Sequence, residues 1–185
     1  MNINSFLVFL HVVGAIGYSV GTLLSMFGLI ALRRVQRIDQ ARVILGLMEM
    51  PGLFSGVSIL FVVATGLYLT ITFWGWQNGW IDVTLGSLVV LVIPTGAVMG
   101  TRRRAIARLA NEMSDGPLTE ALEQKIRDSV LGTSTILLNA LLIGIIFLMV
   151  IKSGIVTSII VIGVSAVLGF VISLFTRREA RPRRL

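Results

Sequence analysis

Five stretches of this chain carry no Asp, Glu, Lys or Arg: residues 1–32, 50–81, 83–101, 129–151 and 153–176. Apolar runs of that length have few places to go. A hydrocarbon core about 30 Å thick takes roughly 20 helical residues to cross. Backbone polar groups in lipid must be satisfied within their own segment, so each run predicts an α-helix. Composition places the chain in the same class: 55% hydrophobic, 14% charged, mean hydropathy +0.92. The intervening segments are too short for a second folded domain. The reading is all-α, a polytopic membrane bundle of five transmembrane helices forming a single domain over residues 1–185. The spans fall near 4–32, 51–74, 82–101, 133–152 and 155–175, and a cytoplasmic helical hairpin, 102–132, extends the third and fourth.

A net charge of +7 could suggest nucleic acid, but its distribution argues against that. The basic residues form three blocks: Arg33, Arg34, Arg37 and Arg42; Arg102 to Arg104, Arg108, Lys125 and Arg127; and Arg177, Arg178, Arg181, Arg183 and Arg184. They follow the first, third and fifth spans, hence one side of the membrane. Lys152 alone falls on the other. This is the positive-inside pattern, and it predicts a bacterial plasma-membrane protein with its N-terminus outside and its C-terminus cytoplasmic. The arginine-rich tail is expected against anionic lipid headgroups. No nucleic-acid partner is expected. With no cysteine, disulfides and thiolate chemistry are excluded. The first run lacks a basic start and is too long for a signal h-region, so it reads as a retained span.

Wound at 100° per residue, His11, Gly14, Gly17, Tyr18, Gly21, Ser25 and Gly28 share a sector of roughly 120°. The opposite face carries Phe9, Val12, Val13, Ile16, Val20, Leu23, Leu24 and Phe27. A small face lets other helices approach closely while the bulky face sits in lipid. The first helix is therefore expected to be the packing hub, with Gly14, Gly17, Gly21 and Gly28 as its packing residues.

Further along, Arg33 to Val43 reads as a basic amphipathic connection, and Pro51 suits a first helical turn. Trp74-Gly75-Trp76-Gln77-Asn78-Gly79-Trp80 reads as an external turn whose indoles anchor at the outer interface. Asp82 opens the third span, where the helix dipole favours an anion. Pro94 with Gly96 predicts a kink. Asp115-Gly116-Pro117 separates two apolar stripes, Ile106, Leu109 and Met113 against Leu118, Leu122, Ile126 and Val130, which predicts a solvated hairpin. Asn139 is expected to be buried in the fourth span. As one helix, the apolar run around Lys152 would be ~70 Å long, over twice the core, so the chain must reverse at Lys152-Ser153-Gly154. The fifth span is expected to pack through Gly163, Ala166 and Gly169.

Depth counting gives one candidate constellation. His11 lies about 10 Å inside the outer boundary, six residues at ~1.5 Å each. Tyr68, counted from Trp74, reaches a similar depth, and Asp82, Thr84 and Lys152 ring the outer helix ends. An outer-leaflet polar cluster of His11, Thr65, Tyr68, Asp82 and Lys152 follows, and intramembrane ionisable residues are functional candidates by default. The bland alternative is that neutral His11 bonds Tyr68 or a backbone carbonyl and joins two helices. A single histidine cannot supply bis-histidine haem ligation within one chain. No P-loop or dinucleotide fingerprint is present. Met26, Met99 and Met149 fall at different depths and read as core filling rather than Cu(I) ligands.

Phe9-Leu10-His11-Val12-Val13-Gly14-Ala15-Ile16 resembles the first-helix LHxxGA signature of a family of predicted bacterial integral membrane proteins of unknown function. Thr65-Gly66-Leu67-Tyr68-Leu69, Trp80-Ile81 with Gly86-Ser87-Leu88, and Val150-Ile151-Lys152 continue the likeness across spans one to four. More distantly, the first helix is similar to copper-resistance D-type proteins and to membrane protoporphyrinogen oxidases. Those resemblances imply a metal- or haem-ligand role for His11.

Three functional readings follow. The first is a structural or accessory membrane subunit without catalytic residues or a cofactor, which implies a membrane-protein partner or a homo-oligomer. The second is a haem b- or copper-handling redox protein or permease using His11. The third is a small transporter hinged at Pro94 and the glycines.

Overall fold

The computed structural model describes residues 2–179, with side chains through Thr176. Helix α1 spans Ile3–Leu32 and a short α2 spans Ile38–Leu47. Helix α3, Glu49–Leu69, ends in a π turn over Thr70–Trp74. The third span begins as α4, Gly79–Ser87, widens into a π turn over Leu88–Val92, and continues as α5, Ile93–Glu112. Then come α6, Glu120–Ile126, α7, Ser129–Ile151, and α8, Ile155–Glu179. Five helical segments are long and apolar enough to cross a membrane. The fold is a polytopic helical bundle, and no β-strand occurs among the described residues.

Membrane packing explains which faces are covered. Gly14, Gly17, Tyr18, Gly21 and Ser25 are buried, whereas Phe9, Val12, Val13, Ile16, Val20, Leu23, Leu24 and Phe27 are exposed. Gly17 faces Ser58 and Phe54, and Gly21 faces Ser55 and the Pro51 carbonyl, so α1 lies directly on α3. Gly28, half-buried, packs on Met48. The hub of the bundle is nevertheless α7, which packs against α1, α4, α5 and α8. Its Leu138, Leu141 and Leu148 are almost wholly inaccessible. Bulky leucines fill a centre that small residues cannot. Asn139 is only half-buried and donates to the Thr135 carbonyl of its own helix, 2.9 Å away.

Helix α8 meets α7 through Ile162, Ser165 and Gly169, and Ser158 and Ser173 are buried on the same stripe at helical spacing. Gly169 lies against Ala140 and Leu137, and Ser165 faces Gly144. Ala166 is half-buried at that seam, but Gly163 faces outward with open space beside it, so the expected Gly163 contact is not made.

The basic end differs from a solvated hairpin. α5 stops at Glu112, α6 is a separate short helix, and Asp128 caps a fresh start of α7 by accepting from Val130 N at 2.7 Å. Together with α2 these pieces enclose a second core of Leu29, Leu32, Ala41, Ile106, Leu122 and Ile126. Val130, expected on the stripe, is exposed. Arg42 of α2 caps the end of α5, donating to the carbonyls of Ala110 and Met113 and pairing with Asp115. Backbone bonds Ile38 N to Gly116 O and Leu118 N to Gln36 O stitch the first connection to the turn at Pro117. Arg33 enters this core beside Gly132; burial, and then like charge from Arg127, hold its guanidinium below its ordinary pKa. The tail residues 180–185, and the side chains of Arg177 and Arg178, lie outside the described residues.

Pro94 sits two residues after the π turn. A proline removes one helical N–H and crowds the carbonyl four residues back, here Val90 within that turn. The widened register is where the expected irregularity is absorbed.

Candidate functional site

Helix α3 packs on α1 but is not a packed partner of the third span. A groove therefore runs between α3 and the α4–α5 span, floored by α1 and α7. It holds two cavities, an outer one of about 240 Å³ and an inner one of about 350 Å³. Tyr18 and Ile59 line both and form the partition. The Tyr18 hydroxyl makes no hydrogen bond among the described residues, although the side chain is buried.

The outer cavity contains His11. Its Nδ1 lies 3.0 Å from Thr65 Oγ1, which itself donates to the Phe61 carbonyl at 2.5 Å. The threonine proton is committed to that carbonyl, so Nδ1–H is the donor and Thr65 the acceptor. Nε2 is left with a lone pair. The ring lies over Gly66, where an added Cβ would stand 2.9 Å from His11 Cε1. Gly66 therefore admits the imidazole between α1 and α3.

The expected five-residue cluster does not assemble. His11 and Thr65 are joined, and Lys152 lines the same cavity. Tyr68 is exposed on the outer face of α3, and Asp82 is exposed at the start of α4; neither lines the cavity. Helical geometry accounts for Tyr68, because Thr65 already occupies the α1-facing position and three residues turn the chain by about 60°.

Lys152 is held by a contact the sequence did not announce. Its Nζ stands 4.0 Å above the centroid of Trp74, which meets Trp80 edge-to-face at 5.7 Å. Two of the three tryptophans thus turn into the cavity, while Trp76 is the exposed one. Lys152 also adopts the left-handed conformation, φ 53° and ψ 46°, and so ends α7 itself rather than leaving that role to Gly154. Gly79 completes the corner: an added Cβ would meet the Ile155 backbone at 2.6 Å.

Most hydroxyls inside the bundle bond a carbonyl of their own helix, as Ser25, Thr70, Ser87 and Thr135 do. Thr84 Oγ1 and Ser55 Oγ are buried without a partner among the described residues, and they line the outer and inner cavities respectively. Among the described residues no group of three His, Cys, Asp or Glu side chains is placed to share a metal. Of the methionines, Met149 lines the outer cavity with His11, and Met48 and Met99 line the inner one.

Residues 5–153 match the sequence profile of a family described as predicted integral membrane protein (DUF2269). No curated protein and no solved structure matches the chain.

Proposed function

The chain belongs to the DUF2269 family of predicted integral membrane proteins, and from that premise we propose that it is a non-catalytic accessory subunit. It resides in a bacterial plasma membrane, with its N-terminus outside and its C-terminus cytoplasmic, and works beside a membrane-protein partner or a second copy. One observation carries this reading: the only histidine is committed, through Thr65 to the Phe61 carbonyl, to joining α1 and α3. Such interhelical bonds contribute about 0.6 kcal/mol each and require no ligand. Orientation draws support from the arginines gathered around the α2–α5–α6 core, opposite Lys152 and the tryptophans.

A second reading rests on the lone pair at Nε2. A histidine whose Nδ1–H is fixed by a hydrogen bond presents Nε2 as a metal ligand. Met149 lines the same cavity, and imidazole with thioether suits Cu(I), in keeping with the distant likeness to copper-resistance D-type proteins. Haem b fits less well within one chain, since about 240 Å³ falls below the ~300–1,000 Å³ of ordinary small-molecule pockets. A transporter reading would need the Tyr18–Ile59 partition to part, joining the two cavities.

Purified His11→Gln and His11→Leu separate these readings. The accessory reading expects His11→Gln to keep the wild-type melting temperature and His11→Leu to cost about 1 kcal/mol, with the metal content and visible spectrum unchanged. Stoichiometric copper or haem in the wild type, lost in His11→Gln, would overturn it. Copper lost in Met149→Leu as well would establish the second reading.

A further inference from the structure

The inner cavity is built differently from the outer one. Gly52, Gly56, Gly96 and Gly100 line its two walls, on α3 and α5. At Gly56, Gly96 and Gly100 an added Cβ would meet nothing within 4 Å. These glycines do not bring helices together; they border an open gap. Because α3 and α5 are not a packed pair, the gap faces the bilayer. Its floor is apolar, with Leu29, Leu32, Val92 and Leu138, and carries the hydroxyls of Thr22, Ser25 and Thr135.

Two guanidinium groups line the same cavity at its basic end. In the run Arg102-Arg103-Arg104, Arg102 is paired with Asp128. Arg103 donates one nitrogen to the Met48 carbonyl at 2.9 Å and lies over Gly52. Arg104 has neither hydrogen bond nor ion pair among the described residues. The apolar run of the third span ends at Thr101, which puts Arg103 and Arg104 at headgroup level and the glycine gap at acyl level. Arg103 and Val92, eleven residues apart, span about 16 Å along the helix axis, a length that accommodates most of one acyl chain.

We infer that this cavity is a lateral site for one anionic phospholipid. One acyl chain enters between α3 and α5, and the phosphate is bound by Arg103 and Arg104. Lipid tails are as apolar as the cavity wall, so burial alone gives no selection. Selection lies in the headgroup, where arginine binds phosphate through paired, charge-assisted hydrogen bonds.

Native mass spectrometry of the full chain, released from detergent with phosphatidylglycerol, phosphatidylcholine or oleate, tests this directly. The wild type should retain one phosphatidylglycerol, preferred at least about fivefold over phosphatidylcholine and not displaced by equimolar oleate. Arg104→Gln, which touches no fold contact, should reduce that preference roughly fivefold, the effect of one interfacial arginine. Gly96→Leu should plug the gap and lose the lipid, with Gly100→Leu as an independent plug. Gly86→Leu, equally open but outside the cavity, should keep it. Equal retention of the two phospholipids, displacement by oleate, or undiminished binding in both plugged variants would each overturn the proposal.

Discussion

At Gly21 an added Cβ would stand 3.0 Å from the Pro51 carbonyl oxygen and press on Ser55, so α1 and α3 meet there with no room for a side chain. Gly21→Leu should force the pair apart and cost about 1–3 kcal/mol by overpacking. Val20→Leu, one residue away on the exposed face, should change stability by less than about 0.5 kcal/mol. Melting curves in detergent measure both; equal losses would mean the faces are misassigned. The two faces of α1 could be read from the sequence because bulky and small residues alternate at helical spacing. The partner of His11 could not. Thr65 and Tyr68 lie at similar depth and only about 60° apart on α3, within the tolerance of any periodicity argument. The imidazole resting on Gly66 settles the choice, and that is a property of two helices rather than one.

Among the elements, the end of α7 shows how a non-glycine can be held in the left-handed region. Lys152 at φ 53° carries a backbone cost of roughly 1–2 kcal/mol that glycine would avoid. Its ammonium over Trp74 returns about 0.5–2 kcal/mol. Lys152→Ala keeps the strain and loses the cation–π contact; Lys152→Gly loses both. Thermal unfolding should therefore rank Lys152→Gly above Lys152→Ala, by roughly 1 kcal/mol, and the reverse order would show that the backbone is unstrained. The chain reversal within Lys152-Ser153-Gly154 was legible from length alone, but which of the three residues turns was not. The break between α6 and α7 had a signal in Asp128-Ser129, a helix N-cap that a continuous stripe reading passes over. Gly163 looked like a packing residue by type. The seam lies on the neighbouring stripe through Ser165 and Gly169, because the leucines and Gly144 of α7 set the register.

For the whole molecule, five charge-free stretches were enough to read a five-helix bundle, because lipid leaves the backbone little choice. The groove between α3 and the third span was not legible. It exists because α3 packs on α1 and α2 and leaves the third span without a packed neighbour on that side, and no single-helix pattern records a missing neighbour. The same holds for the core at the basic end, where α2, too short and too polar to span, closes over α5 and α6. These features acquire a direction only through the central claim, that the chain crosses five times with its arginine core on the cytoplasmic side. The absence of cysteine makes that claim open to labelling, since any introduced thiol is the only one. Single variants Gln36→Cys, Gln77→Cys, Gly116→Cys and Ser153→Cys are treated in intact cells with a membrane-impermeant maleimide. Gln77→Cys and Ser153→Cys should label from outside, with Gln36→Cys and Gly116→Cys reacting only after permeabilisation. Labelling of Gln36→Cys or Gly116→Cys in intact cells would contradict the central claim.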